Sequence, residues 1–114
     1  MIYNNLDFNY NKINPEKNLK VIVIGAAGTI GSNYLKEILK FKPKKIVCVD
    51  INENGLTELT RDLRSSSLLD YKPDYITYPV NLLHDVFDKI FFSDSFDVVA
   101  NFAAHKHVRS EKDI

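Results

Sequence analysis

The stretch Val21-Ile22-Val23-Ile24-Gly25-Ala26-Ala27-Gly28-Thr29-Ile30-Gly31 decides the fold. Four consecutive apolar residues read as a buried strand, and the residues after the last glycine carry helical spacing. A strand that breaks at a glycine turn and re-enters as a helix points unpaired backbone N–H groups outward. With the helix dipole, those groups form a site for a phosphate or pyrophosphate. Gly25 permits the sharp bend, Gly28 lets the backbone approach a ligand, and Gly31 lets the helix close on the strand. Ala27 belongs to the same turn. Thr29 and Ile30 are expected to present backbone N–H groups to the pyrophosphate, and the Thr29 hydroxyl is placed to cap the helix. The spacing is G-x-x-G-x-x-G, one residue looser than the dinucleotide fingerprint G-x-G-x-x-G.

A second apolar strand, Ile46-Val47-Cys48-Val49, ends in Asp50, which follows Gly31 by 19 residues. An acid about 20 residues beyond the glycines is the one that accepts hydrogen bonds from an adenosine ribose. In that role Asp50 repels a 2′-phosphate, so NAD is favoured over NADP. The alternative is that Asp50 ends the strand or caps the next helix. Ile51, Asn52 and Leu82 complete the expected adenosine side, with Ile51 and Leu82 as walls of the adenine pocket.

Composition limits the field. Fifteen Lys+Arg balance fifteen Asp+Glu at 45% hydrophobic content, an ordinary soluble balance that argues against a nucleic-acid binder. The 114 residues suffice for one small domain. No apolar run is long enough to span a bilayer, and the polar, asparagine-rich start has no signal-peptide pattern. The lone Cys48 excludes a disulfide framework. A cytoplasmic location follows by default.

Residues 1–19 read as an N-terminal extension without clear periodicity, although Leu6, Phe8, Tyr10 and Ile13 could pack. Residues 20–114 read as alternating strands and helices. Predicted strands cover Lys20 to Ile24, Ile46 to Val49, Tyr75 to Tyr78 and Val98 to Asn101. Predicted helices run from Gly28 to Lys40, Asn54 to Ser65 and Leu83 to Phe92. The first buries Ile30, Tyr34, Leu35, Ile38 and Leu39, and the second buries Leu56, Leu59 and Leu63. Such alternation implies an α/β fold, a parallel sheet with helices on both faces, and the order expected for its strands is 3-2-1-4. Its ligand lies outside the carboxyl ends of the strands, where the glycine turn, Asp50, Asn81 and Phe102 to Ala104 all fall.

The glycine turn, Asp50 and Asn101-Phe102-Ala103-Ala104 together resemble the extended short-chain dehydrogenase/reductase superfamily of Rossmann-type enzymes. Asp50-Ile51-Asn52-Glu53-Asn54 with its following leucines, and Ala103-Ala104-His105-Lys106-His107-Val108, are similar to CapD-type polysaccharide-biosynthesis proteins. That group includes nucleotide-sugar 4,6-dehydratases and epimerases acting on UDP-N-acetylhexosamines. The resemblance implies that a sugar is oxidised at C4, loses water or inverts at the acidified neighbouring carbon, and is then reduced again. UDP-glucose 4-epimerase-like chemistry and a non-catalytic NAD-sensing module are the alternatives. Many relatives carry an acid after the third strand that meets the adenine amino group. Here Asn81 stands instead, and its amide oxygen keeps the acceptor without the charge. The resemblance puts Phe102, Ala103, Ala104 and Lys106 beside the nicotinamide half. Lys106 there meets a ribose hydroxyl or a sugar-nucleotide pyrophosphate, or is a solvated surface lysine.

The remaining polar residues carry less. His105 and His107 with Asp113 make a poor metal site, so no metal is expected. Lys42, Lys44 and Lys45 read as a basic run that complements a helix end. Related enzymes use a Tyr-x-x-x-Lys pair or a variant of it, and no Tyr-x-x-x-Lys occurs in this chain. The sequence therefore reads as the N-terminal part of a Rossmann domain, with no catalytic residues of its own and with the nucleotide-sugar substrate bound elsewhere in a longer parent. Its fourth strand is expected to lie at an open edge, which favours self-association as a homo-oligomer through that edge or exposed apolar surface. Residues 1–114 incubated with NAD and UDP-N-acetylglucosamine should yield no 4-keto sugar, because acid/base help and substrate positioning are both missing. Reproducible turnover by the purified chain contradicts this reading.

Overall fold

The computed structural model describes residues 2–4, 19–81 and 85–103, with the backbone alone at 2–4, 85 and 86. Five strands form one parallel sheet: β1 (Ile2–Asn4), β2 (Lys20–Ile24), β3 (Lys45–Val49), β4 (Asp74–Tyr78) and β5 (Val98–Asn101). Among the described residues three α-helices connect β2 to β5: α1 (Thr29–Ile38), α2 (Glu53–Ser65) and α3 (Asp85–Phe92). The strand order is β1-β5-β2-β3-β4. The four predicted strands thus take the predicted order, and the direction of winding reverses between β2 and β5.

The strands are apolar throughout because the sheet is covered on both faces, and their period of two divides the core. Val21, Val23, Ile46, Cys48, Val98 and Ala100 pack with Leu35 and Ile38 of α1 and Leu56, Leu59 and Leu63 of α2. The alternate residues Ile22, Ile24, Val47, Val49 and Val99 pack with Ile90, Phe87 and Phe91 on the α3 side. Cys48 is core filler as expected, and burial pushes its thiol up to about 12. No helix among the described residues is long and apolar enough to cross a membrane.

Three expectations need correction. The predicted N-terminal extension contributes β1, which pairs in parallel with β5 through Ile2↔Val99 and Asn4↔Asn101. The fourth predicted strand is therefore not at an edge, and the argument for self-association through that edge falls. A three-residue strand has too few side chains to show a period. Ile30 does not join the buried stripe of α1 but is 60% exposed. In the first turn of α1 it is Gly31 that faces inward, onto the glycine turn, and Ile30 beside it points to solvent. Finally, Lys45 does not serve a helix end. It pairs with Asp94 at 2.9 Å, as does Lys20 at 3.0 Å. Leu6, Phe8, Tyr10 and Ile13 lie outside the described residues.

The Asp94 clamp joins the amino ends of β2 and β3. The Lys45 ammonium first, then Lys20 and the Ser95 N–H, hold its carboxyl well below the usual carboxylate range. A carboxylate depressed in the folded state stabilises above its unfolded pKa of about 3.9, and that stability is lost as pH falls through the folded pKa. Asp94→Asn should therefore lower Tm at pH 7. The gap to wild type should close as the pH drops below about 4 in thermal melts followed by circular dichroism.

Candidate functional site

The carboxyl ends of β2, β3, β4 and β5 converge on the glycine turn. The Gly25 N–H donates to the Val49 carbonyl at 2.7 Å, and the Phe102 N–H donates to the Ile24 carbonyl at 2.8 Å. The exits of β2, β3 and β5 are thus tied together. The Asp50 N–H donates to the Tyr78 carbonyl at 3.2 Å, which brings in β4.

The three glycines of the turn do different things. Gly25 has φ +80°, and a Cβ there would lie 2.8 Å from the Ala103 nitrogen and 2.9 Å from the Phe102 carbonyl carbon. Both conformation and space demand glycine. Gly31 opens no special conformation, yet a Cβ on it would overlap the Gly25 carbonyl oxygen. The helix sits directly on the turn. Gly28 is different: its backbone (φ −75°, ψ 169°) suits any residue, and an added Cβ would meet only the Gly25 oxygen at an ordinary 3.6 Å. The fold does not need glycine there. What the missing side chain leaves is clear space at the head of α1.

Gly28 is the N-cap of α1, and no side chain caps the helix. Thr29 is the first helical residue, so its expected capping bond is not made. The Ser32 hydroxyl instead donates to the Thr29 carbonyl at 3.1 Å. First-turn amides with no capping side chain are the groups that an anion satisfies.

Asp50 stands at the end of β3, facing the turn. Its Oδ2 accepts from the Ala27 N–H at 2.9 Å, and its Oδ1 accepts from the Asn52 N–H at 3.0 Å. The carboxylate therefore braces the turn instead of capping α2. An ionised carboxylate has about four acceptor positions, so two accepted bonds leave room for ribose hydroxyls. The cap of α2 is Asn52, whose Oδ1 accepts from the Gly55 N–H at 2.9 Å. Its side-chain oxygen is thus committed to the helix, and the Ala27 N–H is committed to Asp50.

Ile51 is 69% exposed beside Asp50, and the similarly exposed Ile30 lies across the turn. Two large apolar side chains left in solvent flank the same end of the sheet. Asn81 is exposed just beyond β4. Phe102 packs its ring against buried Tyr34 of α1, with centroids 5.1 Å apart, and the Ala103 N–H donates to the Asn101 side chain at 3.0 Å. Gly25, Ala27, Gly28, Thr29, Ile30, Gly31, Asp50, Ile51, Asn52, Asn81, Phe102 and Ala103 therefore share the carboxyl end of the sheet. Leu82, Ala104, Lys106, His105, His107 and Asp113 lie outside the described residues. Among the described residues no cluster of His, Cys, Asp and Glu could hold a metal ion.

Fold and site together define a Rossmann-like α/β domain with a glycine turn and an acid at the topological switch. The sequence model of the polysaccharide biosynthesis protein family matches residues 21–113. This chain belongs to that family. It is also 36% identical over 95 residues to an uncharacterized membrane protein of Methanocaldococcus jannaschii, a stretch that covers 81% of this chain. The chain spans 25% of the length of that relative.

Two of the glycines differ in a measurable way. Gly31→Ala should destabilise by about 1–3 kcal/mol, as overpacking against backbone does. Gly28→Ala should cost no more than about 1 kcal/mol, the scale of an N-cap change. Chemical denaturation of both variants tests the contrast.

Proposed function

We propose that this chain is the NAD-binding part of a nucleotide-sugar dehydratase or epimerase of the UDP-N-acetylhexosamine class, serving polysaccharide biosynthesis. One observation carries the reading. Gly28, which the fold does not require to be glycine, opens the head of α1 next to Ala27, whose N–H is bonded to the Asp50 carboxylate. Open space beside uncapped amides, with a carboxylate bonded to the same turn, fits a dinucleotide. The pyrophosphate goes to the amides and the ribose diol to the acid. Family membership supports the polysaccharide role.

In this reading the amides of Thr29 and Ile30 hold the pyrophosphate, and Gly28 lets it approach. Asp50 accepts from the adenosine ribose and disfavours a 2′-phosphate. Ile51 gives the adenine an apolar wall, and Asn81 an acceptor for its amino group. Phe102 and Ala103 line the path toward the nicotinamide, with Leu82, Ala104 and Lys106 assigned by sequence to the same cofactor. When bound, NAD supplies reversible acceptance of a hydride from the sugar. The tyrosine-type acid/base and its lysine would come from other parts of the parent, as would the binding surface for the nucleotide sugar. On this reading the domain works in the cytoplasm. The name of the archaeal relative as a membrane protein fits a parent held at the membrane by chain outside this domain.

Calorimetric titration of the full-length protein tests this reading. NAD should bind more tightly than NADP. Asp50→Ala should cost about 10–100-fold in NAD affinity, the worth of a charged hydrogen bond, and so narrow the gap. Gly28→Ala should weaken NAD binding while the protein stays folded. Equal affinity of the wild type for both dinucleotides would count against the assignment.

A further inference from the structure

Gly55 is the one glycine outside the turn, and its position is unusual. It lies in the first turn of α2, and glycine is a poorer helix former than alanine, by about 1 kcal/mol in a helix interior. Gly25 alone among the glycines has positive φ, so backbone conformation does not explain Gly55. Space does. A Cβ at Gly55 would lie 2.8 Å from the Ala27 Cβ, 2.8 Å from the Asn52 Nδ2 and 3.0 Å from the Asn52 Cγ.

The Asn52 amide is the end of a side chain and can turn aside, whereas the Ala27 methyl group cannot. Ala27 is fixed through its N–H to the Asp50 Oδ2, and Asn52 caps the helix by accepting from the Gly55 N–H itself. The Asn52 N–H in turn donates to the Asp50 Oδ1. These contacts close a ring that runs from Ala27 to Asp50 to Asn52 to Gly55 and back to Ala27. A methyl group at Gly55 pushes the head of α2 away from the glycine turn. Because Asn52 is bonded to Asp50, that displacement reaches the carboxylate directly.

We infer that Gly55 is a positioning residue for dinucleotide selection: its contact with Ala27 holds the Asp50 carboxylate against the glycine turn, and so sets the preference for NAD over NADP. This inference rests on the NAD reading above. It adds a role for a residue that touches no ligand, exerted through Ala27, Asn52 and Asp50.

The test is Gly55→Ala in the full-length protein, with Kd for NAD and for NADP measured by calorimetry and Tm measured alongside. NAD affinity should fall about tenfold, as when a bond to a charged group is weakened, with NADP affinity little changed. Ala27→Gly combined with Gly55→Ala removes the colliding Cβ and should restore the wild-type ratio. A Gly55→Ala protein that keeps the wild-type ratio, whatever its Tm, overturns the inference, and so does a double variant without recovery. If Gly55→Ala does not fold, the double variant decides. Folding with the wild-type ratio supports the contact, and an unfolded protein or a collapsed ratio refutes it. A wild type that binds neither dinucleotide overturns the cofactor reading itself, before any variant is compared.

Discussion

Everything in this domain depends on the close approach of three backbone segments at Gly25. The exit of β2, the head of α1 and the exit of β5 meet there, nearer than side chains permit. Gly25 faces the backbone of Phe102 and Ala103, while Gly31 faces the Gly25 carbonyl. A Cβ at either glycine would separate the helix from the turn or the turn from β5. Because the segments touch, the helix head lies at the switch point of the sheet, and its amides and dipole face the crevice there.

The two ends of the sheet are finished differently. At the amino end, the cations of Lys20 and Lys45 meet the single carboxylate of Asp94, and Asp97 binds the Lys20 backbone. Charges there neutralise one another. At the carboxyl end, no side chain caps α1, and Ile30 and Ile51 remain in solvent. Exposed apolar side chains near uncapped amides cost stability in an isolated domain. In the proposed reading they line the cofactor site.

Asp50 links the fold to the proposed function. The same carboxylate that braces the turn through Ala27 is the one read as the ribose acceptor. Loop geometry and dinucleotide preference are then not independent, and a change that moves the head of α2 reaches both. The polysaccharide biosynthesis family gives this arrangement its biological setting, and the brace gives it a physical basis.

By itself, the sequence determined the alternation of strands and helices, the strand order and the place of the glycine turn. The alternation and the turn follow from local patterns: apolar runs of strand length, helical spacing of leucines, and glycines at a strand end. The order was legible only as that of the fold class these patterns define. The jobs of Gly25 and Gly31 were legible because each is a backbone requirement within a few residues. Gly55 left one signal, a glycine in the first turn of a predicted helix, but its reason is the Ala27 methyl group brought in from another element. Lys45 and Asp94 are 49 residues apart, and only the sheet brings them together. β1 was not legible, since three residues carry no period and its partner β5 lies at the other end of the chain. The exposure of Ile30 was hidden as well: helical spacing says which face a residue shares, but only the packed sheet decides how far that face is covered.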